Sequence, residues 1–588
     1  MPLFAQTDTL AKSKKQTNFA RWKHQLIDGI TIKEDTAALR RASLYSPTDY
    51  FRQFEGKIIR RIIIDQKRFG VSIYDTSNNQ TWLQRMADDL HTNTKKEELL
   101  SFVFVKKGEA VNPYKLADNG RIIRDLNFIQ DAKIEVLNTI YADSVDIVIT
   151  TKDVFSIAGD AGTLSSTFAE AAVYDNNFLG RAQRIQVGLV YDAARSPNWG
   201  TSVAYQKYNL GKSFISLDVR KSTTQRSQLQ PGQYDVVQMV RLDRPLYTSN
   251  ARWAGGLQLM HAEGLNTLGG KDSLFIPYKF ADADVWGGVN LQTRFKNYQS
   301  KDYRKGSFLA LRYRQRSFLL EPKIVPLAVT QLYFNTRQVL AEFSSYNIDF
   351  DKTTHIFGFG RTEDIPVGYN NRVTTGFTSF ENVNRWYVGM ELEKFVLDKK
   401  ENYYSYLINL GTNISARELQ DNSLLVAANI YSKLYRKKRH MVRNFLSGSV
   451  AAIVNRRTYN PLAVNSQYGI ANFRNDTLRG SARASVKGES NIFTKWEILG
   501  FRIGLLAFTE LSLFKREPTN GGQWEPLYSV GSGFRVRNES LVFGTIEMRA
   551  AWFPRVFTGP QINITFSSNL RVRYSGSFVR APQTAFVL

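Results

Sequence analysis

The 588-residue chain contains no cysteine. That excludes disulfides, thiolate zinc sites, iron–sulfur clusters and cysteine nucleophiles. Histidine is nearly as scarce. His24, His91, His261, His355 and His440 are the only five, and no two stand at a local metal-ligating spacing. No run of about 18 apolar residues occurs, so the sequence offers no transmembrane helix. Acidic residues are outnumbered, 53 against 78 Lys and Arg, which leaves a formal charge of +25. That excess is spread along the chain without a nucleic-acid recognition motif. Its densest run, Arg436-Lys437-Lys438-Arg439-His440, follows an apolar stretch and reads as a solvated turn, so nucleic acid is not an expected partner. What the chain does hold is 28 Tyr, 38 Phe and 39 Gly, with only 16 Pro. With a mean hydropathy of −0.32, this composition fits a large antiparallel β-structure. A membrane β-barrel has such a composition because only alternate residues face lipid.

Three regions follow from the pattern. Residues 1–52 are polar and charged and read as an N-terminal extension. Two readings stand for Met1–Gln6: the remnant of a signal peptide, or a plain disordered start. In 53–155, Ile58–Ile64 is a β-branched run that predicts a buried strand. Helices are expected over Trp82–Leu90, around Glu97–Leu100 and over Tyr114–Leu126, then strands over Ala132–Leu137 and Val145–Thr151. From 156 to 588 the pattern is almost wholly β, with short alternating segments between turns rich in Asn, Asp, Gly and Ser. In Phe501–Phe514, Ile503, Leu505, Leu511 and Leu513 oppose Arg502, Gly504 and Glu510. Asp218, Glu547 and Arg549 sit mid-strand, where a water-filled lumen would accept a charge. At about 27 residues per strand and connection, the last region predicts about 16 strands. The expected fold class is therefore mostly β: an antiparallel transmembrane barrel preceded by one small α+β domain.

Several motifs resemble one known family. Phe104-Val105-Lys106-Lys107-Gly108-Glu109-Ala110-Val111-Asn112 and Asp125–Ala132 are similar to a turn and a helix-to-strand passage of POTRA domains. Tyr174-Asp175-Asn176-Asn177-Phe178-Leu179-Gly180-Arg181 resembles the first hairpin of BamA-type barrels. Asp476-Thr477-Leu478-Arg479-Gly480 looks like the R-G motif of that superfamily's sixth extracellular loop. Gly504–Glu510 and Gly531-Ser532-Gly533-Phe534-Arg535-Val536 are similar to two strands that follow it. The chain thus resembles the BamA/TamA-type outer-membrane assembly and translocation superfamily, as a specialised single-POTRA member. Ser481 departs from the pattern, standing where an aromatic usually follows R-G.

The resemblance implies a bacterial outer-membrane location with the POTRA domain in the periplasm. It implies insertion or translocation of polypeptides, with unfolded outer-membrane or secreted polypeptides as partners. Periplasmic or lipoprotein accessory subunits and outer-membrane lipids are implied as further partners. In the family the R-G loop folds back into the barrel and its Arg meets an inner-wall acid, which maps the pair onto Arg479 and Glu510. The parity of Glu510 within its strand independently points it inward. Rival readings are a passive porin or ligand-specific channel, and lipid trafficking. No enzyme, cofactor or metal is expected. The sequence has no G-x-S-x-G elbow, and Gly211-Lys212-Ser213 lacks the first glycine of a phosphate loop. The acidic cluster in Arg361–Pro366 reads as a solvated turn.

Overall fold

The structure is a computed structural model. It describes residues 47–67, 92–164, 167–227, 229, 233–267, 275–292, 303–322, 332–356, 358–359, 363–380, 383–437, 440–458, 462–471, 473, 478–498, 501–516, 522–538, 545–554, 560–570 and 579–585.

The first part is a small α+β unit. Its elements are α1 (Pro47–Arg52), β1 (Ile58–Lys67), α2 (Lys96–Ser101), α3 (Pro113–Asp125), β2 (Ile129–Asn138) and β3 (Ser144–Asp153). The expected helix at Trp82–Leu90 lies outside the described residues. The start of α3 is set locally. The Asn112 side chain accepts a hydrogen bond from the Lys115 N–H at 3.0 Å, and Pro113 fills the first turn, where a missing donor costs nothing. The sheet order is β1-β3-β2, with β3 parallel to β1 and antiparallel to β2. Ile59, Leu116, Ile123, Phe128, Ile134, Val145, Ile147 and Ile149 make one dry core.

The rest is one antiparallel sheet. Its strands are β4 (Ile157–Leu164), β5 (Phe168–Asp175), β6 (Gln183–Asp192), β7 (Trp199–Lys207), β8 (Ser216–Arg226), β9 (Tyr234–Arg244), β10 (Trp253–Leu265), β11 (Lys279–Asn290), β12 (Lys305–Leu320), β13 (Thr336–Thr353) and β14 (Glu363–Phe380). Then come β15 (Val383–Leu397), β16 (Tyr403–Ser415), β17 (Glu418–Tyr431), β18 (Tyr435–Arg436), β19 (His440–Val454), β20 (Leu462–Ala463), β21 (Arg479–Ile498), β22 (Phe501–Arg516), β23 (Trp524–Arg537), β24 (Thr545–Phe553) and β25 (Gln561–Leu570). Neighbours in sequence are neighbours in the sheet, and β25 returns to β4, which closes the sheet into a barrel. β18 and β20 are two-residue pairings beside the β17–β19–β21 ladder. The expectation of about 16 strands is therefore too low, because it allotted too many residues to the connections. β16 and β17, for example, are joined by Ala416 and Arg417 alone, both at positive φ as a tight hairpin turn requires.

The barrel is apolar outside. On β22, Leu505, Leu511 and Leu513 are 42–48% exposed, while Leu506, Phe508, Glu510, Ser512 and Phe514 between them are buried. The same alternation puts Trp386, Val388 and Met390 of β15 outside and Tyr387 and Glu391 inside. Exposed Trp199, Trp253 and Trp524 open their strands, and Trp496 and Trp552 lie near the ends of theirs. Aromatic side chains at strand ends flanking an apolar band are the pattern a lipid-facing barrel requires.

The α+β unit docks on the barrel end formed by the β5–β6, β7–β8, β9–β10, β11–β12 and β13–β14 connections. Ala182, Tyr208 and Phe214 from those connections join its core. Helix α3 faces this end. Arg124 pairs with Asp364 at 2.8 Å, Asp118 with Arg304 at 2.6 Å, and the Arg121 guanidinium lies 4.2 Å over the Phe350 ring.

Candidate functional site

The first-hairpin motif is a docking turn. Buried Asn177 donates from Nδ2 to Thr94 Oγ1 at 2.8 Å and accepts from the Ala182 N–H at 2.9 Å. Phe178 and Leu179 project outward, with Leu179 at φ +57°. Gly180 has φ +67°, and its carbonyl accepts from the Lys95 N–H at 2.9 Å. A Cβ there would lie 2.4 Å from the Asn93 carbonyl oxygen. Only glycine permits that close approach, so this motif joins the unit to the barrel.

The strand motif lines the lumen. Gly531, Gly533 and Arg535 share the inward parity of β23. A Cβ at Gly531 would lie 2.3 Å from the Phe508 ring, and one at Gly533 2.1 Å from the Met548 carbonyl oxygen. The glycines thus let the Phe508 ring and the β24 backbone approach. Arg535, only 2% exposed, pairs with Glu547 on β24 at 2.5 Å and with Glu489 on β21 at 2.9 Å. Arg549 closes the quartet, reaching Glu489 at 2.5 Å and also Glu547. Two guanidiniums and two carboxylates compensate one another across three strands. Removing one would leave an uncompensated charge in a desolvated site.

Of the loop motif, Leu478 is buried and the backbone of Arg479 opens β21, paired with Ala463. The Arg479 side chain lies outside the described residues. Gly480 pairs with Leu462 and leaves room for Phe514, whose ring would lie 2.4 Å from a Cβ at 480. Glu510 does face the lumen. It accepts from Ser529 Oγ at 3.1 Å, lies 4.0 Å from Lys487 Nζ and is reached by the Ala471 backbone N–H. Leu462, Val464, Ile470, Phe473 and Leu478 of the β19–β21 connection pack on inward-facing Leu425, Ile453, Leu506, Phe508, Phe514 and Phe553. This connection therefore folds into the barrel and seats on the Glu510 wall.

Sequence reading missed two parts of the lumen. The quartet needs the β21–β23–β24 register, and only the mid-strand Glu547 and Arg549 signalled it. On the opposite wall, Arg372 of β14 pairs with Glu391 and, at 3.2 Å, with Glu393, both on β15. Residues 579–585 lie against this wall, inside the barrel. Val579 packs with Leu246, Phe308 and Tyr346, and Arg580 pairs with Glu391 at 2.6 Å.

No family model and no curated protein matches this chain. Among solved structures the chain is similar to CdiB from Escherichia coli, at 10% identity, covering 93% of this chain and 97% of that one with a TM-score of 0.41. It is also similar to CdiB from Acinetobacter baumannii, at 9% identity over 87% and 74% with a TM-score of 0.42. BamA from Haemophilus ducreyi lacking POTRA domains 1–3 matches at 10% identity over 87% and 85% with a TM-score of 0.32. At such scores these are likenesses only, and the barrel rests on its own strand pairing.

Proposed function

We propose that this chain inserts or translocates polypeptides at the bacterial outer membrane. In this reading residues 53–155 are a single periplasmic POTRA domain and residues 156–588 the transmembrane barrel. The observation that carries it is the β19–β21 connection, which folds into a closed barrel and seats against the Glu510 wall. The register sets Gly480 opposite Arg516 and Glu510 opposite Lys487, so the expected Arg479–Glu510 pair is about 20 Å apart along the strands and is not part of this reading; Lys487, 4.0 Å away, is the cation beside Glu510. The apolar outer band supports the membrane location. The α+β unit offers a strand for capture: β2 is an edge of its sheet, where an extended chain can add by backbone hydrogen bonds. A passive porin needs an open aqueous lumen. Here a folded-in connection and residues 579–585 occupy it, and α3 faces the mouth.

The test is depletion of the protein in its native cell, followed by a proteomic count of outer-membrane and surface proteins. The reading expects a selective loss of a subset of these proteins. An unchanged surface proteome, together with steady ion conduction by the purified protein, would overturn it.

A further inference from the structure

Residues 579–585 are held in the lumen by side chains, with no strand pairing to the wall. Their contacts form a built site. Arg580 donates to Glu391 at 2.6 Å. The Pro582 carbonyl accepts from Arg312 Nη1 at 2.8 Å, and the Ala585 N–H donates to the Tyr387 hydroxyl. Gly411 on β16 completes the fit, because a Cβ there would lie 2.5 Å from the Ala585 Cβ. The wall beneath is acidic. Glu342, Glu391 and Glu393 face the lumen on β13 and β15, and Glu342 is hydrogen-bonded to Thr374 at 2.9 Å. Arg372 is the cation they share on the wall itself. Arg580 adds a second cation, so this wall carries excess negative charge once the segment leaves.

We propose that this wall is a binding site for an extended, arginine-bearing polypeptide, occupied in the resting molecule by residues 579–585, which act as a displaceable plug. The inference rests on the polypeptide-handling reading and names the chemistry of its lumenal ligand. The wall takes a guanidinium at Glu391, a backbone carbonyl two residues later at Arg312, and a small residue over Gly411. The absence of strand pairing makes exchange feasible, since no ladder must break for the segment to leave.

The direct test uses a fluorescent peptide of sequence Val579–Leu588 and the purified chain lacking those residues, with binding read by anisotropy in detergent. The peptide should bind the shortened chain and leave the full chain unbound, because there the site is filled. Arg580→Glu in the peptide, or Glu391→Gln in the barrel, should weaken binding by at least about tenfold, a loss of about 1.4 kcal/mol. Equal binding by the Arg and Glu peptides, or no binding to the shortened chain, would overturn the site. If the shortened chain lacks heat-modifiable mobility, the full chain carrying Arg580→Glu replaces it as the peptide's acceptor, under the same criteria.

Displacement is tested in cells with Gly411→Cys plus Ala585→Cys. The chain is otherwise free of cysteine, and the two positions come within disulfide reach after a small shift. The oxidised pair should lose surface-protein assembly and dithiothreitol should restore it. Full activity of the oxidised pair would show that the segment need not leave. Peptide binding needs no client, so it can fail while depletion still lowers surface proteins, and the two readings fall separately.

Discussion

Ile147 and Leu511 are both aliphatic residues at mid-strand, and they face opposite surroundings. Ile147 on β3 is 0% exposed, flanked by Ile62 of β1 and Val136 of β2. Leu511 on β22 is 48% exposed, while its neighbours Glu510 and Ser512 are buried. The α+β unit follows the rule for a water-soluble fold: apolar groups meet in a core and leave water. The barrel inverts the rule: its apolar residues face outward, as a lipid-facing barrel requires, and its polar residues satisfy one another inside. One chain thus carries two solvent assignments, and its substitutions should behave by region.

The largest effect is expected at Ile147→Pro. It removes a backbone donor from the central strand of the small sheet, so the unit should lose cooperative folding while the barrel keeps its heat-modifiable mobility. Protease digestion of the full chain would read this as selective loss of the region before residue 155. Loss of both parts together would mean that the core shared through Ala182, Tyr208 and Phe214 makes them a single cooperative body.

Next is Arg535→Ala, which strands Glu547 and Glu489 inside the wall. The expected cost is about 3–5 kcal/mol in denaturant unfolding of the detergent-solubilised protein. Combining it with Glu547→Ala should cost less than the sum of the two, because both act on one network. Strict additivity would remove the quartet as a unit.

Leu511→Arg, on the outer face, should cost about 2–4 kcal/mol in a bilayer, as a cation on the lipid side of a barrel does. In water-exposed surroundings the same change would be nearly silent. This substitution therefore separates a membrane barrel from a soluble one.

The smallest effect concerns acid. Hydrogen bonds from Arg60 at 2.8 Å and from Arg61 at 2.7 Å hold the Asp146 carboxyl below the usual carboxylate range. A value lowered on folding stabilises the unit above the unfolded value of about 3.9, and that contribution is lost as pH falls through the folded one. The α+β unit should therefore weaken only in strong acid. Asp146→Asn should flatten that acid limb in a protease-resistance profile against pH, and an unchanged profile would count against the Arg60–Asp146–Arg61 bridge.

Much of this comparison was legible in the residues. The run Ile58–Ile64 and the alternation in Val145–Thr151 marked β1 and β3, because β-branched residues at strand period leave few alternatives. The period-2 pattern of Phe501–Phe514 placed Glu510 inward. The same parity places Leu506, Phe508 and Phe514 toward the lumen, although they are apolar. Ile470 and Phe473 pack on them there, a contact no local pattern encodes. The strand count failed for a related reason, since turn lengths do not show in hydrophobic alternation. The motif around Gly531 led to Arg535, but its partners lie 46 and 12 residues away, where only register could identify them. The lumenal seat of Arg580, 189 residues from Glu391, had no sequence signal at all.

The central claim is a closed barrel with lipid outside and a filled, polar-and-packed lumen inside. The absence of native cysteine allows single-cysteine scanning of β22 in the full chain, reconstituted in lipid vesicles. An environment-sensitive fluorophore at 505, 507, 509, 511 and 513 should be quenched by lipid-borne quenchers, and at 506, 508, 510, 512 and 514 it should not. A period of two along the strand is the predicted result. Uniform quenching, or uniform access from water, would contradict it.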